Sequence, residues 1–208
     1  MSEISEELFP KELLDEPFEN NDEYIKCEMQ KVDRHIKYYL KAKECGKYRR
    51  FKSIAQSDFF NAELFIDSRL RATGRNLFLF DYLSLNFKLN VLERFCITLG
   101  MLINTDERYK DMLKSIDGGQ NFSYALALRL YFFVEDTCDI DNYYTIHNTV
   151  SKKMNSLFFN GNLANIDKYI FKDIVENSNN SLNGNDGITI RVPSESSELV
   201  IREDVAQK

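Results

Sequence analysis

Apolar residues recur at intervals of three and four along most of this chain, the period of amphipathic helices packed on a shared core. Between residues 22 and 47, Ile25, Met29, Val32, Ile36 and Tyr39 or Leu40 fall on one stripe and predict a helix whose outer face is basic. A second helix is predicted over 53–72, where Ala55, Phe59, Ala62, Ile66 and Leu70 keep the stripe and Gly74 supplies the stop. Two antiparallel helices of this length make a hairpin. Residues 76–80 follow with Leu77, Phe78, Leu79 and Phe80, which demand burial, and Leu79, Leu83 and Phe87 predict a short helix leading onward.

The stretch 86–131 fits three short helices with almost no loop between them, the spacing of a helix-turn-helix core. Asn90 and Glu93 stand at capping-box distance and open a helix that buries Leu92, Phe95, Cys96, Leu99 and Leu102. Asn104 and Thr105 are expected to end it and cap the next, whose face carries Tyr109, Met112, Leu113 and Ile116. Gly118 and Gly119 stop that helix, and Asn121 or Ser123 starts a third, apolar nearly all round. Helices over 145–159 and 163–176 are predicted next, separated at Asn160 and Gly161. Residues 177–187 are almost all turn formers and read as a polar loop. Residues 188–192 alternate as a strand should, and 198–202 are expected to pair with them.

The pattern predicts a mostly α protein: a helical hairpin packed on a winged-helix-like, helix-turn-helix core, with a small C-terminal β-hairpin. Its divisions are a flexible acidic arm at 1–20, the N-terminal helical hairpin at 21–76, the winged-helix-like domain at 77–203 with its hairpin at 188–202, and a tail at 204–208. No repeat appears at solenoid periods.

Composition narrows the class. A length of 208 residues with 43% hydrophobic residues, 16 Phe and 11 Tyr gives ample core material. No apolar run approaches the roughly 18 residues that a membrane span needs, and the acidic start lacks the pattern of a secretory signal, so no membrane partner and a cytoplasmic location are expected. Cys27, Cys45, Cys96 and Cys138 are scattered, and a disulfide framework is not expected. Cys27, His35 and Cys45 would share one helix, with the cysteines about 27 Å apart along its axis, so they cannot converge on zinc.

Charge is uneven. The net charge of −6 argues against a surface that wraps nucleic acid as a whole. Nine acids face a lone Lys11 within residues 3–23, whereas residues 31–52 are rich in Lys and Arg. Lys31, Arg34, Lys37 and Lys41 fall at three and four on the first helix and form one stripe, with Tyr38, Tyr48 and Phe51 nearby as stacking surfaces. Such a stripe is read in three ways: a solvated face or one neutralised by the acidic arm, a surface for a protein partner, or a phosphate contact. Arg191 and Arg202 add basic residues to the wing.

Catalytic apparatus is not apparent. Neither His35 nor His147 sits in a nucleophile or metal motif, and no phosphate-binding glycine loop is present: Gly46-Lys47 is followed by Tyr48 and lies in a helix. Glu135, Asp136, Asp139 and Asp141 read as solvated turn residues before they read as a metal or acid-base site. The third core helix would enter a DNA groove in a helix-turn-helix reader. Its single base, Arg129, and its apolar surface make it a core element instead.

Leu83, Phe87, Leu89, Glu93, Arg94 and Phe95, then Asp106, Arg108, Tyr109 and Leu113, then Leu126, Ala127, Leu128 and Leu130 form a pattern that resembles the N-terminal helical and winged-helix-like region of bacterial AAA-type ATPases. The resemblance covers roughly residues 78–135. It implies a non-catalytic recruiting domain that binds a protein substrate or partner, with ATP and Mg entering only if an ATPase core follows these residues. The rival reading is a small winged-helix regulator that contacts DNA phosphates through Lys and Arg, and a homo-oligomer stays open under either. The surfaces singled out are Lys31, Arg34, Lys37, Lys41, Arg191 and Arg202.

Overall fold

The computed structural model describes residues 9–74, 77–117, 121–175, 191–192 and 199–200, and the described chain is mostly helical. Helix α1 (Asn21–Cys45) starts at Asn20, whose side chain accepts from Glu23 N, and ends at Gly46 in the left-handed region at φ 65°. Only Gly46 and Lys47 separate it from α2 (Tyr48–Thr73). The second helix thus begins five residues before the expected position, because Tyr48 turns inward against Tyr39 at 5.7 Å between ring centroids. Gly74 ends α2 as expected.

Helix α3 (Leu79–Asn86) buries Phe80 and Leu83 and leads into α4 (Val91–Thr105). Both halves of the capping box are formed: Glu93 N donates to Asn90 Oδ1 and Asn90 N donates to Glu93 Oε2, each at 2.9 Å. Every expected core position of α4 is buried, and the whole run from Phe95 to Ile103 is enclosed. Gly100 permits a close approach, since a Cβ there would lie 2.5 Å from the ring of Phe159. Asn104 and Thr105 bond back to the carbonyls of Gly100 and Met101, and the next helix, α5 (Glu107–Asp117), is opened instead by Asp106, which accepts from Arg108 N at 2.9 Å. Helix α6 (Tyr124–Phe132) is buried along Tyr124, Leu126, Ala127, Leu128 and Leu130. It is bracketed by Phe122 and Phe133 at φ 47° and 54°, a strained conformation for bulky residues that packing must hold.

Helix α7 (Tyr143–Leu157) is followed by a loop and by α8 (Lys168–Val175). The last helix starts five residues later than the pattern predicts. Asn162 accepts from the amides of Ala164 and Asn165, and Asp167 accepts from those of Tyr169 and Ile170, so two short polar side chains hold a turn where helix was expected. Of the expected wing at 188–202, the described residues are the backbone pair β1 (Arg191–Val192) and β2 (Leu199–Val200), antiparallel. The remainder of that wing, the glycines 118 and 119, the loop 177–187 and the tail lie outside the described residues.

One hydrophobic core includes residues from Phe18 to Ile174. Helix α1 is its axis, packed on α2 and on α4, α6 and α8. A helix covered on several sides needs a wide buried surface, which is why Tyr24, Tyr38 and Ala42 join the expected stripe.

The arm differs most from expectation. Residues 9–20 do not hang free but lie along the C-terminal half of α2. Arg69 donates to the carbonyls of Glu16 and Pro17 at 2.9 and 3.0 Å and to the Glu23 carboxylate at 2.6 Å. Its guanidinium stands 4.2 Å from the ring centroid of Phe18, and Phe9 meets Phe65 edge-on at 5.3 Å. Apolar anchors inside an acidic sequence hold the arm down.

Candidate functional site

The basic stripe of α1 divides between interior and surface. Lys31 is 3% exposed and Glu28 fully buried, and Lys31 bonds Glu28 from its own helix and Glu63 from α2. Arg94 of α4 bonds Glu63 and reaches to 3.8 Å from Glu28. Two cations and two carboxylates from three helices therefore alternate inside the fold with no net charge. Burial pushes the Glu28 carboxyl up, and Lys31 and Arg94 overcome that push and leave it below the usual carboxylate value. The Arg94 guanidinium is desolvated too, and Glu28 and Glu63 more than compensate.

Outward from this network the stripe is still paired. Arg34 grips Asp58 of α2 with two hydrogen bonds at 2.7 and 2.9 Å. Lys37 pairs with Asp33 at 2.7 Å. Lys41 is exposed, its Nζ 5.7 Å above the ring of Phe51. Arg191 is described only in its backbone and Arg202 lies outside the described residues. Lys31 and Arg34 are thus engaged by α2, not by the acidic arm. Periodicity placed the four on one stripe, but α2 covers half of it.

Beyond Lys41 lies a group that the stripe left out. Lys41, Lys43, Lys47, Arg49 and Arg50 are exposed and Lys52 half-buried, all at the tip where α1 turns into α2. Lys43 donates to the Ser115 carbonyl at 2.8 Å. Among the described residues, Lys47, Arg49, Arg50 and Lys52 have no carboxylate partner. The start of α2 is also unusual in itself: Lys47 provides no side-chain cap, and the first turn holds no acid. The positive end of the helix dipole and two arginines therefore coincide. Residues 41–52 carry six bases against Glu44, a formal +5 on a chain of −6, so the rest of the molecule sums to −11. The signal for this site was in the sequence, as a local excess of charge where a helix pair turns.

Other polar groups are engaged by the fold. His35 is buried in a cage of Phe59, Phe95 and Phe133 and donates from Nε2 to the Leu130 carbonyl at 2.8 Å. Burial holds its pKa below the usual 6.5. An open groove of about 510 Å³ runs between α1, α4 and α5, past Asp33, Asp106 and Tyr109. Tyr109 donates to Asp33 at 2.7 Å, and Arg108 pairs with Asp106 at 2.5 Å. Asp136 accepts from Cys138 N at 3.0 Å and serves a turn. Among the described residues no group of His, Cys, Asp and Glu is arranged to hold a metal ion, and no helix is long and apolar enough to cross a membrane. No family model, curated protein or solved structure matches the chain.

Proposed function

We propose that this chain is a non-catalytic interaction module that recruits an acidic protein partner through the basic tip of its α1–α2 hairpin. The observation that carries the reading is the contrast between the tip and the cations around the middle of the hairpin: Lys31, Arg34, Lys37 and Arg94 are paired, and among the described residues Lys47, Arg49, Arg50 and Lys52 have no carboxylate partner. A +5 island on a −11 body suits a short acidic segment that touches only the tip. A nucleic acid duplex extends beyond such an island and meets the repulsion of the body. On the residues that resemble AAA-type ATPases, the module would serve as the recruiting domain of such a machine, with α4 to α6 as its winged-helix-like core and residues 188–202 as the wing.

The second reading, a DNA-associated regulator, draws on Arg49 and Arg50 at a helix start, where phosphate is readily bound. It would have to work through phosphates alone, since α6 is buried and cannot read bases.

The test is titration of a labelled glutamate-rich peptide and of a mixed-sequence duplex at about 50 and about 500 mM salt, followed by fluorescence anisotropy. The peptide is expected to bind at the lower salt, to weaken at the higher, and to lose binding to the triple variant Lys47→Glu, Arg49→Glu, Arg50→Glu. No peptide binding at low salt overturns the proposal. Tighter binding of the duplex than of the peptide favours the regulator.

A further inference from the structure

Helix α2 leaves three large apolar side chains in solvent, Ile54, Phe60 and Leu64, at 41, 61 and 51% exposure. At about 100° per residue, Phe60 and Leu64 share an outer face with exposed Ser57 and Asn61. That face also carries Arg50 toward one end and Ser68 toward the other. Arg50 belongs to the basic tip. Ser68 donates to Asp15 of the acidic arm at 3.4 Å, and Glu12, Glu16 and Glu19 of the same arm are exposed. One helix face therefore reads basic, apolar and then acidic along its length, the exposed Arg71 at the acidic end being paired with Asp67 at 2.7 Å.

Arg50 and Ser68 are about 27 Å apart along the helix, more than three Debye lengths of about 8 Å at physiological salt. A single copy does not neutralise its own ends. The point midway between them falls level with Phe59, which packs inward against His35, and the exposed Phe60 is the next residue along. A pattern of opposite charges placed evenly about an apolar centre is complementary to itself when turned by two-fold rotation.

We propose that this face of α2 binds the same face of a second copy, antiparallel, with the two-fold axis level with residue 59 and Phe60 of each copy beside it. In that arrangement Ile54 faces the partner's Leu64, and the basic tip of each protomer lies on the acidic arm of the other. The occupant follows from charge complementarity and from the position of Phe60 beside the centre. This dimer rests on the reading of the tip as an acceptor of acidic polypeptide, and an acidic partner that binds the tip competes with the arm of the second copy.

Sedimentation velocity of the full chain across a concentration series, at about 50 and about 500 mM salt, tests it. A dimer is expected at low salt, at least about tenfold weaker at high salt, and absent in Phe60→Glu, with unchanged circular dichroism. If Phe60→Glu fails to fold, Leu64→Lys reads the same face. The most specific arm uses two charge-reversed proteins. Lys47→Glu, Arg49→Glu, Arg50→Glu is acidic at both ends, and Glu12→Lys, Glu16→Lys, Glu19→Lys is basic at both. Each alone is expected to be monomeric, and an equimolar mixture is expected to regain the dimer. Three results overturn the inference: a monomer at about 100 µM protein in low salt, a dimer that survives both apolar variants, or two reversed proteins that do not complement. A chain that binds the glutamate-rich peptide yet stays monomeric sinks the dimer and leaves the recruiting role standing. A dimer without peptide binding does the reverse.

Discussion

Two groups of cations on the α1–α2 hairpin, a few turns apart, are treated by the fold in opposite ways. In the middle, Lys31 pairs with Glu28 and Glu63 and Arg34 with Asp58, and Arg94 of α4 joins the interior network from across the core. At the tip, Lys47, Arg49, Arg50 and Lys52 have no such partner among the described residues and crowd the positive end of α2. Both groups look alike in sequence, as Lys and Arg recurring within residues 31–52. The lesson is that a basic stripe acquires its meaning from what packs over it. Where α2 covers α1 the charges are structural, and where the hairpin turns and the cover ends they become available to something else.

The sharpest way to break that contrast is Lys31→Met. It leaves Glu28 in the interior with only the more distant Arg94, and loss of one partner from a buried ion network costs about 3–5 kcal/mol. Chemical denaturation is expected to show this loss, with most of it recovered in the double variant Lys31→Met, Glu28→Leu, which removes the stranded carboxylate. Arg50→Ala at the tip is expected to change stability by less than about 0.5 kcal/mol. Equal effects at the two sites would erase the distinction between interior and tip.

What could be read beforehand follows the same division between local and distant causes. The capping box at Asn90 and Glu93, the stop at Gly74 and the buried face of α4 depend on residues within a turn or two of each other, and all three are where the pattern places them. The packed arm depends on Arg69, some fifty residues away, gripping carbonyls that any sequence would have. The start of α8 was lost to the side-chain turn at Asn162, and Asp167 caps the helix five residues later than expected. For the candidate site, the excess of Lys and Arg over residues 31–52 was visible, but which of those residues face water was not, because that depends on α2 lying over Lys31 and Arg34.

A second buried group of α1 sharpens the comparison through pH. His35 has its pKa lowered by burial, so between that lowered value and 6.5 the unfolded chain binds more protons than the folded one. Stability is then full above about 6.5 and falls as pH drops through that window, by no more than one proton's worth, about 1.4 kcal/mol per pH unit. The Glu28 contribution lies lower: its depressed carboxyl loses its share only as pH falls below the usual 4.5. Thermal melts at pH values from about 7.5 down to about 5 should therefore slope in the native chain and flatten in His35→Phe. A slope that survives the substitution would place the titrating group elsewhere.

Lys153 is an intermediate case. It is about a third exposed and pairs at 2.7 Å with the buried carboxylate of Glu93, which keeps its bond from Asn90 N when the lysine is removed. Lys153→Met should thus cost about 1 kcal/mol, between the interior network and the tip. A cost as large as that of Lys31→Met would mean that α7 depends on this pair to dock.

The smallest expected effect has the opposite sign. Arginines in the first turn of a helix oppose its dipole, and acids there favour it by about 0.3–1 kcal/mol each. Arg49→Glu and Arg50→Glu should therefore each raise the stability of this chain by a few tenths of a kcal/mol, measured by denaturant midpoint at low salt, and the gain should shrink at high salt. The same substitutions are expected to abolish binding of an acidic peptide. Stability that rises while binding disappears is the signature of residues held in place against the preference of the fold. If both arginines prove stabilising as they stand, the tip is another structural charge cluster with partners, and the contrast between the two halves of the hairpin collapses.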